Sequence, residues 1–400
     1  MIQKARPSTF ILATVLALAP ALPLAAPATP LAPAQLGEAQ ARLGFRLIDQ
    51  MRRDGKTNVV VSPASLAGVL ALLDLGANAE MRAALARTLG FENGADAAAQ
   101  LAALRVVAAP ASEEGGPLAV ANAMVLDPRA APYPRMLAGL GRLGARVSVE
   151  RLDDPATIAR VNAWVADHTR GRIPGIIDKA PDDGGLLALN ALYFKDRWKQ
   201  TFDPALTQPA RFRGVGGLTR EVAMMRLPEV RLRLRRQGAF VAVELPYATD
   251  RFRLVLVTTS DHPASSAEFR TVAGWLAGEG FSEHAGELSL PSLALGGNAD
   301  LLPALDALGL ARGRASPGAL AGFSPAPLVI AQVLQRTQLR LDEAGTEAAA
   351  TTAVTTTRSS PGEFVKVVVD KPFLFALRDA QTGLLVLAGY VGDPVAEERG

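Results

Sequence analysis

Asp342-Glu343-Ala344-Gly345-Thr346-Glu347-Ala348-Ala349-Ala350-Thr351-Thr352-Ala353-Val354-Thr355-Thr356-Thr357-Arg358-Ser359-Ser360-Pro361-Gly362 decides the reading of this chain. It opens like a turn, runs like a strand and closes in a polar tip with one arginine. From Thr346 to Thr357 there is no Pro, no Gly and one charge, Glu347; seven of those twelve residues are β-branched and four are Ala. That composition favours a sheet. With a period of two, Thr346, Ala348, Ala350, Thr352, Val354 and Thr356 share a face, uncharged and small or medium-sized. That face suits burial, while the other, with Glu347, suits solvent. The segment is therefore fit to enter a sheet as a central strand. Yet it ends in Arg358-Ser359-Ser360-Pro361-Gly362, an exposed tip and a natural site of proteolysis.

Strand and helix signals surround this stretch. Gln35 to about Arg53 carries a broad apolar stripe through Leu36, Ala39, Leu43, Leu47 and Met51, and reads as a first helix. Asn58-Val59-Val60-Val61 reads as a short buried strand. Ser62 then caps a helix with Pro63 at its first position. Ala121 to Leu126 reads as a buried strand. Leu187-Ala188-Leu189-Asn190-Ala191-Leu192-Tyr193-Phe194-Lys195 is apolar on both faces and is expected at the centre of a sheet.

Several of these segments together resemble one family, the serpins, serine protease inhibitors that trap a protease by inserting a cleaved loop into a β-sheet. Glu343-Ala344-Gly345-Thr346-Glu347-Ala348-Ala349-Ala350-Thr351 resembles their hinge. Val365 to Phe375, with Asp370-Lys371-Pro372-Phe373, resembles the segment after the loop. Asn190-Ala191-Leu192-Tyr193-Phe194-Lys195, with Trp198 and Phe202-Asp203, resembles a further signature. So does the helix ending in Thr169, Gly171 and Ile173. The matches run in family order over the chain from residue 36 to 395. The resemblance implies an α+β fold: one domain, several helices packed around three β-sheets, and an exposed, insertable reactive loop at about 343–362.

Composition narrows the alternatives. The chain has 400 residues and a formal net charge of +3 from 42 basic and 39 acidic residues, a near balance that is no nucleic-acid signature. There is no Cys, which excludes disulfides, thiolate metal sites and a cysteine nucleophile. The three His residues, His168, His262 and His284, have no metal partner at helical or turn spacing. Neither Gly-x-Ser-x-Gly nor Ser-x-x-Lys occurs. No catalytic role, metal or cofactor is expected. Lys4 and Arg6 precede an apolar run from Phe10 to Leu24, followed by Ala26-Pro27-Ala28. Residues 1–28 therefore read as a signal peptide and 29–35 as a short flexible start, with secretion to periplasm or medium expected.

The resemblance implies roles for individual residues. Glu343, Gly345, Thr346, Glu347, Ala348, Ala349 and Ala350 form the hinge. Gly345 permits a backbone reversal, Thr346 is small and uncharged enough to enter a sheet first, and the alanines lose little side-chain entropy on ordering. An exposed Arg suits an acidic specificity pocket, so Arg358-Ser359 is the expected reactive bond and, with Arg358 as bait, a trypsin-like protease the expected target. The family's usual spacing from Glu343 instead selects Ser359-Ser360 and an elastase-like target. Ser62, Ser65, Asn190 and Gln335 fall on positions that latch the sheet; Gln335 stands where the family often has a His and does not titrate near neutrality. Arg231, Arg233 and Arg235 alternate along a strand and form a weak candidate polyanion site. A monomer that forms a covalent complex with a serine protease is expected. The alternative is a non-inhibitory serpin acting as a binding or chaperone-like module.

Overall fold

The N-terminal amphipathic segment is a helix, α1 (Pro33–Arg53), ending in Arg52 and Arg53, whose charge suits a helix C-terminus. The structure, a computed structural model, describes residues 33–90, 116–142, 146–179, 181, 185–346 and 364–394. β1 (Asn58–Val61) leads into α2 (Pro63–Asp74), where the Ser62 side chain accepts from the Ser65 N–H and Pro63 opens the first turn. α2 is buried from Pro63 to Leu73, and apart from Ser65 every residue in that span is apolar. α3 (Ala79–Leu89) is capped by Asn78 and ended by Gly90 in the left-handed conformation. β2 (Leu118–Leu126), α4 (Pro134–Arg142), β3 (Arg146–Val149) and α5 (Pro155–His168) follow. Thr169 closes α5, its hydroxyl donating to the Val165 carbonyl at 2.7 Å and accepting from the Ile173 N–H at 3.2 Å.

The second half is mostly strand: β4 (Leu186–Phe194), β5 (Asp196–Arg197), β6 (Gln208–Arg213), β7 (Thr219–Gln237), β8 (Phe240–Pro246) and β9 (Phe252–Thr259). Then come β10 (Ser282–Pro291), β11 (Leu293–Asp300), β12 (Ile330–Leu341), β13 (Gly345–Thr346), β14 (Val365–Val368), β15 (Phe373–Asp379) and β16 (Leu385–Val391).

Among the described residues these strands make three sheets. The largest is nine-stranded, ordered β1-β16-β15-β9-β8-β7-β10-β14 with β6 also on β7. A five-stranded sheet is ordered β11-β12-β4-β2-β3, and β13 pairs with β5 alone. The class is α+β, as read from the sequence.

β4 is buried at every residue, as its two apolar faces predict. Leu187, Leu189, Ala191 and Tyr193 pack outward with Val161 and Val165 of α5. Leu186 and Ala188 face inward toward α2, and Leu192 and Phe194 toward the large sheet. A fully covered central strand holds its register because a one-residue slip would exchange both faces.

Candidate functional site

β12 and β4 run parallel at the middle of the five-stranded sheet, from Ile330 opposite Leu186 to Gln338 opposite Tyr193. The two parallel neighbours are joined through the chain segment from residue 195 to 329, which carries most of the large sheet and several short helices. This seam carries a polar crossing in an otherwise apolar layer. Gln335 and Asn190 are register partners, and Gln335 Nε2 donates to Asn190 Oδ1 at 3.0 Å. The same amide closes on the backbone of Ser62, accepting from its N–H at 2.7 Å and donating to its carbonyl at 3.2 Å. Asn190 Nδ2 in turn donates to Asn122 Oδ1 of β2 at 2.7 Å. Gln335, Asn190 and Ser62 are all buried, so each hydrogen bond lies in a weakly screened interior.

The four residues singled out in the sequence as a latch thus meet at one point, with a difference for Ser65. It contributes its N–H to the Ser62 hydroxyl at 3.2 Å, while its own hydroxyl makes no hydrogen bond among the described residues. Asn122 completes the chain of amides and was not singled out. Its one signal was an Asn inside the apolar run Leu118–Leu126.

The hinge begins where β12 ends. Asp342 Oδ1 accepts from the N–H groups of Ala344 and Gly345, both at 3.0 Å, and reverses the chain. Gly345 has φ +150°, and a Cβ on it would lie 2.3 Å from the Asp196 carbonyl oxygen, so only glycine fits. Gly345 and Thr346 then pair antiparallel with Arg197 and Asp196, the continuation of β4. Thr346 is fully buried, and its hydroxyl shares a 2.9 Å hydrogen bond with the buried Tyr247 hydroxyl. Tyr247 stacks on Trp198 with ring centroids 4.5 Å apart. Trp198 donates its indole N–H to the Asp342 carbonyl at 2.9 Å and its backbone N–H to Ala344 at 3.0 Å. Glu343 Oε1 accepts from the Thr207 hydroxyl at 2.7 Å.

Burial sets the electrostatics of this corner. It pushes the Asp342 and Asp196 carboxyls above their usual values, against hydrogen bonds that favour their ionised forms. It pushes the Tyr247 phenol up as well, so that group stays protonated. Sequence reading quoted Trp198 but gave it no role at the hinge. Glu347, Ala348, Ala349 and Ala350, and Arg358, Ser359 and Ser360, among which the sequence reading placed the bait, lie outside the described residues.

A strap crosses the outer face of the seam. Arg336 of β12 donates to the Gly175 carbonyl at 2.7 Å, and Asn298 of β11 donates to Asp178 at 3.2 Å. The Arg172 guanidinium lies 5.7 Å from the ring centroid of Tyr193 on β4. Asn162 of α5 fastens the strap from above, accepting from the N–H groups of Ile176 and Ile177 and donating to the Ile177 carbonyl.

The arginine stripe on β7 is already engaged. Arg233 pairs with the buried Glu244 at 2.5 Å, and Arg231 lies 4.0 Å from Glu283. Arg235 donates to the Glu279 carbonyl and lies over the Trp275 ring.

Comparison with known proteins agrees with this geometry. Residues 38–394 match the family described as serpin, serine protease inhibitor. Glia-derived nexin of Mus musculus is 28% identical over 385 residues, covering 90% of this chain and 94% of that protein. Among solved structures, Arabidopsis AtSerpin1 in its native stressed conformation superposes with a TM-score of 0.79 at 23% identity, covering 92% of this chain and 100% of that one. Human thyroxine-binding globulin complexed with thyroxine superposes at 0.78 with 20% identity, covering 91% and 99%. The match spans the seam, the amide crossing beneath it and the hinge at its end, and the chain belongs to the serpin family.

Proposed function

We infer that this protein is a suicide-substrate inhibitor of serine proteases. One observation carries the reading: a closed parallel seam, β12 on β4, with Gly345 and Thr346 already paired antiparallel at its end. Chain continuing from Thr346 along this course would run antiparallel to both β4 and β12. Inserting it would replace one parallel ladder with two antiparallel ones, which are slightly more stable per residue. Residues 347–357 hold no Pro or Gly and one charge, so their composition permits the insertion.

The chemistry belongs to the target. Its serine attacks the bait carbonyl, the peptide C–N bond breaks, and the new amino group leaves on the C-terminal part of the chain, taking up the proton the serine gives. The carbonyl carbon stays bound to the protease as an ester. Insertion then drags the acylated protease away from its starting position before water completes the second half of the reaction. Arg358-Ser359 directs this toward trypsin-like proteases, and Ser359-Ser360 toward elastase-like ones. The leader read from residues 1–28 would place the encounter outside the cytoplasm. Cleavage without trapping would instead leave a serpin that serves as a binding module.

The test mixes the protein with trypsin, and separately with elastase, and reads denaturing gels and the mass of the released C-terminal peptide. A denaturant-stable complex is expected, and the peptide mass identifies the bond. Loop cleavage with both proteases left fully active would refute the inhibitor reading for these two classes.

A further inference from the structure

The strand that follows the loop carries a charge pattern the mechanism above does not use. Lys366 on β14, Glu287 on β10 and Arg226 on β7 lie on three neighbouring strands. Lys366 is opposite Glu287, and Arg226 is opposite Ser289, two residues further along β10. Register partners, and residues two apart on a strand, point to the same side, so the three side chains form one strip. Val365 and Val367, on the other side of β14, are buried in the core.

A single carboxylate serves both cations. Arg226 Nε and Nη2 donate to the two Glu287 oxygens at 2.9 and 3.0 Å, and Lys366 Nζ lies 3.2 Å from Oε1. The Glu287 side chain is 12% exposed, against 48% for Arg226 and 60% for Lys366. The negative charge therefore lies beneath, and two positive groups protrude. Such layering gives solvent a positive potential even before the surplus cation is counted.

The strip is also in the right place. Lys366 lies eight positions after Arg358 and seven after Ser359. At about 3.6 Å per residue at most, either bait bond lies within roughly 30 Å of Lys366 whatever path the chain takes. A target protease is itself about 30 Å or more across, so the strip is within reach of one seated on the bond.

We propose that Lys366 and Arg226 form a secondary docking surface for acidic residues beside the catalytic cleft of the target protease. The proposal rests on the inhibitor reading and adds selectivity among proteases that cut the same bond. Complementary charge of this kind acts mainly by steering encounter, and salt weakens it.

Two trypsins of the same bond specificity and opposite net charge test it, each in an active and a catalytically dead form. The dead forms report docking alone, and the active forms report trapping. At low salt the protein is expected to bind the dead anionic trypsin about three- to tenfold more tightly than the dead cationic one. Lys366→Glu is expected to abolish that preference, with a lowered thermal midpoint because two carboxylates then lie opposite each other, and Lys366→Gln to reduce the preference with the midpoint little changed. If the bond cut proves to be Ser359-Ser360, paired elastases replace the trypsins. Equal binding of the two dead forms, or a preference that survives Lys366→Glu, overturns the proposal. Failure of the inhibitor reading shows separately, as cleavage by the active forms without a covalent complex, and the proposal then falls with it.

Discussion

The hydroxyls of Tyr247 and Thr346 lie 2.9 Å apart, both fully buried, 99 residues apart in the chain. This contact fastens the second hinge residue of β13 to the hairpin after β8. A buried hydroxyl that loses its partner costs roughly 1–3 kcal/mol. Tyr247→Phe is therefore expected to lower the thermal midpoint of the intact protein by about 2 °C or more. Thr346→Val removes the other partner. In the double mutant the two losses should fall short of their sum, since they break the same bond. Additive losses in thermal scans of the four proteins would show that the two hydroxyls are not coupled.

Gly345 offers a sharper test of the same corner. A Cβ there would meet the Asp196 carbonyl oxygen at 2.3 Å and the Arg197 Cα at 2.6 Å, on backbone with φ +150°. Neither contact is the end of a flexible side chain, so the hinge must move. Gly345→Ala is expected to break the pairing of β13 with β5. The Trp198 N–H, which donates to Ala344, should then exchange with solvent faster. Unchanged exchange at Trp198 in the variant would mean that the backbone accommodates the methyl group.

The latch is predicted to be indifferent to acid. Gln335 crosses the seam to Asn190 and closes on Ser62, and none of these groups titrates near neutrality. Gln335→His should introduce acid sensitivity. A neutral imidazole buried there has its pKa pushed below about 6.5 by desolvation. The folded state then binds fewer protons than the unfolded one, and stability is lost as pH falls below the unfolded value. Denaturant midpoints at pH 5.5 and 7.5 should separate in the variant. Gln335→Leu leaves the Asn190 acceptor and the Ser62 backbone groups unpaired, and should destabilise by about 2–4 kcal/mol at both pH values. A larger acid-induced drop in the parent than in Gln335→His would contradict the assignment.

A proton-sensitive element near neutrality lies elsewhere, in the turn after β9. His262 contacts Glu268 at 3.0 Å and Asp261 at 2.7 Å. These bonds, Glu268 first, raise the imidazole above its ordinary 6.5. A raised folded value means that the gain is full below the unfolded value and is lost as pH rises through the folded one. Hydrogen bonds from Ser265 and His262 lower Glu268, and the bond to His262 lowers Asp261, so their gain is lost at the acid end. The turn should be tightest between these limits. The His262 side chain is about half exposed, so solvent screening keeps the effect small and it is best seen by proton NMR titration. His262→Gln should remove the alkaline loss and bring Glu268 back toward its ordinary value.

What the sequence made legible follows from what each signal depends on. β4 could be read because burial on both faces leaves an unbroken apolar run. The start of α2 could be read because Ser62 and Pro63 act within one turn. Gly345 could be read because its conformation belongs to a local reversal. Asn122 could not, because a lone Asn in an apolar strand gains its meaning only from Asn190, its register partner 68 residues away. Thr207 was equally silent, since its bond to Glu343 joins residues 136 apart. The Arg231, Arg233 and Arg235 stripe showed its spacing but not its partners, which come from β8, β10 and the segment before β10.

The strap over the seam yields the last prediction. Any strand entering between β4 and β12 must pass beneath residues 171–179, which Arg336 ties to β12 and Asn162 ties to α5. These contacts lie on the path of insertion more than in its end state, so their loss should alter a rate more than an equilibrium. Arg336→Ala removes a charge-assisted hydrogen bond to the Gly175 carbonyl, worth about 1.5–3 kcal/mol when both groups are shielded. If the tie must break before insertion, that energy sits in the barrier and the rate rises by about ten- to a hundredfold. The measurement is the rate at which fluorescence settles after the loop is nicked by a protease, beside the thermal midpoint of the nicked product. A faster approach to the same final midpoint is expected. An unchanged rate with a lowered final midpoint would place Arg336 among the contacts that hold the product and remove the strap from the path.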